Sequence, residues 1–132
     1  MKKLILAIGL LLSLPAQALT TVYRDGSDVV TVAQVNTDTV AGTEAIPLGP
    51  YQAGSVQCIW ASVTGVQPVF ALQLSNNNSN WDTLSSATTT TTGAAGSSTW
   101  IVDPFVSRYA RIYISTTSTT GNLNCISVLK RG

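Results

Sequence analysis

The chain has 132 residues, two cysteines, no histidine and a formal net charge of +1. This length suits a single domain that buries one hydrophobic core. The missing histidine removes the commonest acid–base catalyst, and the near-neutral charge lacks the basic surface that nucleic-acid binding requires. We therefore expect no catalytic residue, no cofactor and no nucleic-acid partner.

Residues 1–18 have the features of a secretory signal peptide. Two lysines precede an apolar run at positions 4–14, and the tripeptide AQA at 16–18 has the small-x-small form of a cleavage site. The run is about half of the roughly 20 residues that span a bilayer, so we expect no stable membrane insertion after cleavage. Residues 19–132 then form one β-sandwich domain with five basic and six acidic residues. We expect a periplasmic, extracellular or surface-associated protein.

Short segments of alternating apolar and polar residues recur along the chain, separated by turn residues, and none after the leader has a helical period. This pattern predicts an all-β domain: a single antiparallel β-sandwich of jelly-roll or discoidin-like type, with about eight strands. Residues 19–24 are a short apolar-polar stretch that ends at a turn. The eight candidate strands are a short piece of 36–44 and residues 29–35, 55–64, 67–75, 84–92, 99–102, 108–115 and 123–130.

Several of these segments carry more specific predictions. Residues 29–35 are expected to be buried on both faces, or to form an edge that another subunit covers. A glycine turn predicts a hairpin between 55–64 and 67–75. Residues 46–51 contain two prolines and predict a connecting corner. For the threonine-rich residues 84–92, an edge strand and a mobile loop are both open.

The two cysteines, Cys58 and Cys125, predict a disulfide, because an exported chain favours pairing over buried free thiols. Trp60 shares the face of Cys58 and is expected to pack against the bridge. The cysteine separation also suits an immunoglobulin-type sandwich, which is the second choice of topology. Asp25 and Asp28 flank a turn and are expected to be turn residues rather than calcium ligands. No metal site is predicted.

The segment 67–84 joins an apolar strand to a polar loop. Two strands are expected to contribute to one core: Phe70, Leu72 and Leu74 from the first, and Ala110, Ile112 and Ile114 from the second. The asparagine-rich residues 76–80 are expected to cap themselves locally and to tolerate left-handed backbone. Trp81 is expected to close the core, with a stacking role at the loop tip as the alternative.

On the outward face of the strand 108–115, Tyr109, Arg111 and Tyr113 form a stripe of two rings and a guanidinium group. Such groups stack on sugar rings or contact a partner protein. The alternative is a solvated sheet face with its rings covered by a neighbouring loop. Together with Trp81, these residues are the candidate contacts for a ligand or partner.

The sequence FALQLSNN at 70–77, followed by Trp81, Leu84 and the RYARI sequence at 108–112, resembles discoidin-type sandwiches, the C-terminal domains of coagulation factors 5 and 8. It equally resembles short β-sandwich proteins among phage and bacterial surface components. The resemblance covers about residues 66–128 and implies the sandwich fold.

This chain departs from the discoidin pattern in two places. Asn77-Asn78 stands where the family has aspartate-glycine, and the N-terminal half, whose loops carry the family's ligand contacts, has no counterpart. The resemblance therefore implies no binding residue here.

Two functions are compatible with these features. The first is a structural or assembly subunit of a surface or virion-associated structure, with protein partners or self-assembly. The second is a carbohydrate- or cell-surface-binding module that uses the tyrosine–arginine stripe. We expect no enzyme, because no catalytic constellation is present.

Overall fold

The structure is a computed structural model that describes residues 19–24 and 26–132. The predicted signal peptide and Asp25 lie outside the described residues. Short runs of alternating residues form ten strands, because alternation places one apolar face on a shared core. They are β1 (Leu19–Arg24), β2 (Ser27–Asn36), β3 (Ala41–Gly42), β4 (Ile46–Pro47), β5 (Tyr51–Thr64), β6 (Val69–Ser75), β7 (Asp82–Thr90), β8 (Gly96–Val102), β9 (Tyr109–Thr116) and β10 (Thr120–Arg131).

Two antiparallel sheets form a jelly-roll sandwich. The larger sheet has the order β1-β2-β10-β5-β8, and the smaller has β3-β9-β6-β7, with β4 also paired to β9. The pairs are nested: β2 with β10, β3 and β4 with β9, β5 with β8, and β6 with β7. Such nesting is a long hairpin folded over into two sheets, which defines a jelly roll. The predicted fold class is confirmed, with ten strands instead of about eight.

The core lies between the two sheets. Phe70 is 0% exposed and lies against Trp60 and Trp100 of the other sheet, with ring centroids 6.0 Å and 5.6 Å away. Such tilted ring pairs each contribute about 0.5–1.5 kcal/mol beyond area burial. The other predicted core residues belong to the same cluster, with Leu74 half-buried at its margin: Leu72, Leu74, Ala110, Ile112 and Ile114.

The predicted hairpin between β5 and β6 is wrong. The two strands are consecutive in the chain but lie in different sheets. The connection turns at Gly65, whose φ is +79°, and a side chain there would collide with Thr119. A tight glycine turn looks the same in sequence whether the chain returns within one sheet or crosses to the other. The sheet that β6 joins is therefore decided by its partner strand β9, which lies far away in the sequence.

The strand β2 is not a free edge. It pairs with β1 on one side and β10 on the other, so the expectation that residues 29–35 pair with another subunit's sheet is contradicted. Asp28, Val30 and Val32 point to the core. A register shift between β2 and β10, at which β2 has one extra residue between Val32 and Val35, then brings Val35 to the core as well. One alternation therefore could not describe the whole strand.

The threonine-rich segment forms an edge strand, which answers the question left open by its sequence. Among the ten described strands β7 pairs with β6 alone, and Thr89 Oγ1 donates a hydrogen bond to Ser98 Oγ of β8 at 3.0 Å. This bond joins the two sheets along one side of the sandwich. The predicted corner at 46–51 contains the two-residue strand β4, and its Pro47 lies at a sheet margin where a missing donor is tolerated.

The disulfide between Cys58 and Cys125 is present and lies within the larger sheet. The two residues are direct partners on β5 and β10, with Cα atoms 4.1 Å apart. An immunoglobulin disulfide instead crosses between sheets. The second choice of topology is thus contradicted. Trp60 and both cysteines belong to one buried cluster.

Candidate functional site

The candidate site lies on the outer face of the smaller sheet, on the strand β9. Tyr109, Arg111 and Tyr113 are half-buried and point away from the core, as the alternation predicts. Trp81, at the end of the asparagine loop, lies beside Arg111 on the same face. We call Trp81, Arg111 and Tyr113 the Arg111 cluster. Tyr109 lies on the same face, but its ring is not one of the two that contact the Arg111 guanidinium group.

The guanidinium group of Arg111 contacts two aromatic rings. Its Cζ atom is 4.4 Å from the centroid of the Trp81 ring and 5.1 Å from that of Tyr113. A guanidinium within about 6 Å of a ring face gains about 0.5–2 kcal/mol by cation–π attraction, more when it is shielded from water. The two rings therefore restrict where the guanidinium can move.

A buried amide fixes the orientation of the same group. Arg111 Nε donates to Gln73 Oε1 at 2.8 Å, and Gln73 Nε2 donates to Thr83 Oγ1 at 3.2 Å. Gln73 is only 7% exposed, although its position on β6 suggested a solvent-facing residue. The Arg111 cluster and its neighbours cover the outer face of β6, where Ala71 and Ser75 are buried as well.

A glycine makes room for the arginine. Gly42 of β3 pairs with Tyr113, and a Cβ atom added at Gly42 would lie 2.8–2.9 Å from Nη1, Cδ and Cζ of Arg111. Real Cβ atoms do not approach heavy atoms that closely. Arg111 can therefore adopt this position only over a residue without a side chain.

The charge of Arg111 has no neutralising partner in the described part of the chain. Among residues 19–24 and 26–132, no carboxylate forms an ion pair with it. Burial lowers the pKa of Arg111, and nearby Tyr113 partly offsets this effect. The guanidinium group stays protonated in water at neutral pH, because its ordinary pKa is far higher. It is a partly desolvated positive charge held in one orientation.

The asparagine loop positions Trp81. Asn77 Oδ1 accepts hydrogen bonds from the backbone N–H groups of Ser79 and Asn80, at 3.0 and 2.9 Å. Ser75 Oγ accepts from the N–H of Asn78 at 3.0 Å, and Asn78 has a left-handed φ of +59°. The prediction of a self-capped loop with left-handed backbone is confirmed. The loop ends with Trp81 over β6.

Trp81 does not close the core, so that expectation is wrong. It is half-buried on the outside of the smaller sheet and is not part of the core cluster. The core between the sheets is filled by other side chains, including Phe70 and its two tryptophan neighbours. The sequence identified all three members of the Arg111 cluster as candidates. It missed Gln73, Thr83 and Gly42, whose roles depend on strand pairing.

A shallow depression of about 420 Å³ adjoins the asparagine loop. Its walls include Asn77, Asn80, Asp82 and Thr83. Neither the Arg111 cluster nor Tyr109 lines it. Thr83 nevertheless connects the depression with the Arg111 cluster, because it lines the depression and also accepts the hydrogen bond from Gln73 beneath Arg111.

A second surface lies on the outer face of the larger sheet. Residues paired in register form a row across all five strands: Val22, Val29, Val128, Ser55 and Ile101. The next row is Thr20, Thr31, Ile126, Gln57 and Thr99. Ile101 is 81% exposed, and Ile59 is also exposed nearby. We call these two rows with Ile59 the outer apolar face. Neither row contains a charged residue.

A polar group lies at one end of the core. Asp28 is 3% exposed; it accepts a hydrogen bond from the Tyr51 hydroxyl and pairs with Arg131 Nη2 at 2.7 Å. Burial and the hydrogen bond to Asp28 raise the pKa of Tyr51, and Arg131 opposes this. Both neighbours contact the same oxygen of Asp28, Oδ2, while Oδ1 is buried and has no hydrogen-bond partner among the described residues.

The described residues include no helix long and apolar enough to cross a membrane. Within the same part of the chain, no three histidine, cysteine or acidic side chains gather as metal ligands would.

The fold is similar to solved β-sandwich structures at low sequence identity. The SPBc2 prophage-derived protein YomS has a TM-score of 0.50 and 12% identity, over 81% of this chain and 98% of that chain. A chain from Bacillus endospore appendages, described as disulfide-linked pili, has a TM-score of 0.47 and 15% identity, over 89% and 94%. A CBM4 structure has a TM-score of 0.43 and 13% identity, over 91% and 81%. At such identities the likeness shows the shared fold alone.

No protein-family model matches the sequence, and no curated protein matches it either. The likeness to the prophage-derived protein supports the sandwich fold that the broader resemblance implies. The discoidin-type resemblance stays a prediction.

Proposed function

We propose that this protein is an exported, non-catalytic subunit that assembles with copies of itself in a surface or virion-associated structure. The observation that carries the proposal is the outer apolar face. Six of its eleven residues are apolar and the other five are uncharged. Exposed apolar residues grouped among polar ones commonly mark an interaction site. The disulfide supports export, since disulfides persist in oxidising compartments.

A second copy of the chain is the occupant that best fits this surface. The two rows of the face have no charge, so an identical face presents no like-charge repulsion and no unpaired ion. Five strands about 4.8 Å apart, over about five residues of about 3.3 Å each, give roughly 400 Å² per copy. Two such faces bury roughly 800 Å² in total, which is less than the total of about 1,000 Å² that a specific pairwise interface needs. The expected association is therefore weak in a single pair and stronger in a larger assembly.

The test is the oligomeric state of the protein, expressed from the full chain and measured by light scattering after size exclusion. The wild type is expected to form dimers or larger assemblies at micromolar concentration. Ile101→Lys and Val128→Lys should each shift it to monomer, because a twofold interface repeats the new charge on both copies. Val106→Lys is the matched control, since Val106 is 82% exposed on a loop outside the sheet. A strict monomer, or assembly that both lysines leave intact, would contradict the proposal.

A second candidate function is a carbohydrate- or cell-surface-binding module. The arrangement of the Arg111 cluster favours it, because half-exposed rings around an oriented donor group are common in sugar recognition. This function would use the opposite face of the sandwich from the assembly surface. The two functions are separable by experiment.

A further inference from the structure

We infer that the Arg111 cluster binds the carboxylate of an acidic saccharide. This rests on the second candidate function and adds the chemical class of the ligand. The inference starts from the donors of the guanidinium group. Nε is used by Gln73, whereas neither Nη1 nor Nη2 has an acceptor among the described residues. Neither is among the buried unpaired polar atoms, so both remain in contact with solvent.

The two free donors are held in place before any ligand arrives. The rings of Trp81 and Tyr113, the hydrogen bond to Gln73 and the gap over Gly42 together fix the guanidinium plane. A planar, oriented fork loses little conformational freedom when it binds a carboxylate with two parallel hydrogen bonds. An exposed arginine without these contacts would have to be ordered on binding.

The charge of the site selects for a single negative group. Arg111 is partly desolvated and lacks a carboxylate partner in the described part of the chain. A ligand carboxylate would supply that partner. Acidic peptides and phosphate groups usually require several positive charges, but the side chains hydrogen-bonded beneath Arg111, Gln73 and Thr83, are neutral. One charge between aromatic rings suits one carboxylate on a sugar ring that can stack.

The experiment is an NMR titration of the ¹⁵N-labelled protein with a galacturonate trisaccharide and, separately, with the neutral galactose trisaccharide. The acidic sugar should shift the Arg111 Nε–H and Trp81 indole resonances, while those of the buried Trp60 and Trp100 stay fixed. It should bind roughly tenfold or more tightly than the neutral sugar, as expected for charge-assisted hydrogen bonds. The preference should decrease with added salt.

Three variants test the role of the guanidinium. Arg111→Gln should abolish the preference for the acidic sugar, and Arg111→Lys should keep a weaker one, because lysine retains the charge without the fork. Arg108→Gln, which removes an exposed arginine from the preceding turn, is the matched control and should bind like the wild type. Thermal unfolding of each variant checks that it is folded.

Each remaining outcome overturns the inference in a distinguishable way. Equal binding of both sugars would leave carbohydrate binding standing and remove the role of the carboxylate. Tighter binding of a hexaglutamate peptide than of the acidic sugar would indicate a protein partner. No binding of any probe would remove both this inference and the second candidate function. None of these results affects the test of self-assembly.

Discussion

Cys58 and Cys125 are direct partners on neighbouring strands, with their Cα atoms 4.1 Å apart. This separation is close to that of the narrow, non-hydrogen-bonded pairs of an antiparallel ladder. The bridge connects two inner strands of the larger sheet, and β10 in turn pairs with β2. It therefore ties a strand from the middle of the chain to the last strand, across a sequence separation of 67.

Removal of this bridge should lower the free energy of unfolding by about 2–4 kcal/mol, since the open chain regains the entropy of a long loop. Urea unfolding with and without reductant measures the effect. The double variant Cys58→Ala/Cys125→Ala is the control: its stability should be lowered already and should not respond to reductant. An unchanged unfolding transition on reduction of the wild type would show that the bridge does not stabilise the fold.

The second stability prediction concerns Phe70. It lies between Trp60 and Trp100 at the centre of the sandwich, so Phe70→Ala leaves a cavity between two large rings. We expect a loss of about 3–5 kcal/mol, measured by urea unfolding. Val106→Ala, on an exposed loop, is the control and should change stability by less than about 0.5 kcal/mol. A small effect at Phe70 would mean that the surrounding core collapses to fill the space.

The fold was predictable from sequence where a strand's own alternation decides the outcome. The residues of 108–115 that were expected to point inward, such as Ile112, are buried, and Arg111 on the outward face is not. The crossing from one sheet to the other at Gly65 was not predictable, because the sequence of a turn does not show which sheet the next strand joins. Trp81 was misplaced for a similar reason. Its ring could pack on the core or on a cation, and the sequence does not show that Arg111 would be its neighbour.

The residues that support the site were also beyond local sequence reasoning. Gln73 alternates with apolar residues and looked like an ordinary solvent-facing position. It is buried because β9 and the loop before β7 place Arg111 and Trp81 over it. Gly42 lies in a two-residue strand whose pairing with β9 gives it its role. Both depend on contacts between residues distant in the sequence.

Gly42 gives a direct test of how Arg111 is held. Gly42→Ala should displace the guanidinium, because the new Cβ would lie under 3.0 Å from three of its side-chain atoms. The Trp81 indole resonance should shift, and the Trp60 and Trp100 resonances should not. Gly49→Ala is the matched control, since nothing lies within 4 Å of a Cβ there. An unmoved Trp81 resonance would mean that the stack does not depend on the gap at Gly42.

The hydroxyl of Tyr51 predicts how stability depends on alkaline pH. Burial and the hydrogen bond to Asp28 raise the pKa of Tyr51 above its ordinary value of 10.0, despite the opposing charge of Arg131. The unfolded chain therefore loses this proton at a lower pH than the folded chain does. Its stabilising contribution is complete below about pH 10 and is lost as the pH rises through the higher pKa of the folded state. In urea unfolding at a series of alkaline pH values, Tyr51→Phe should show a shallower decline in stability than the wild type. Parallel declines in the two proteins would show that Tyr51 does not carry the effect.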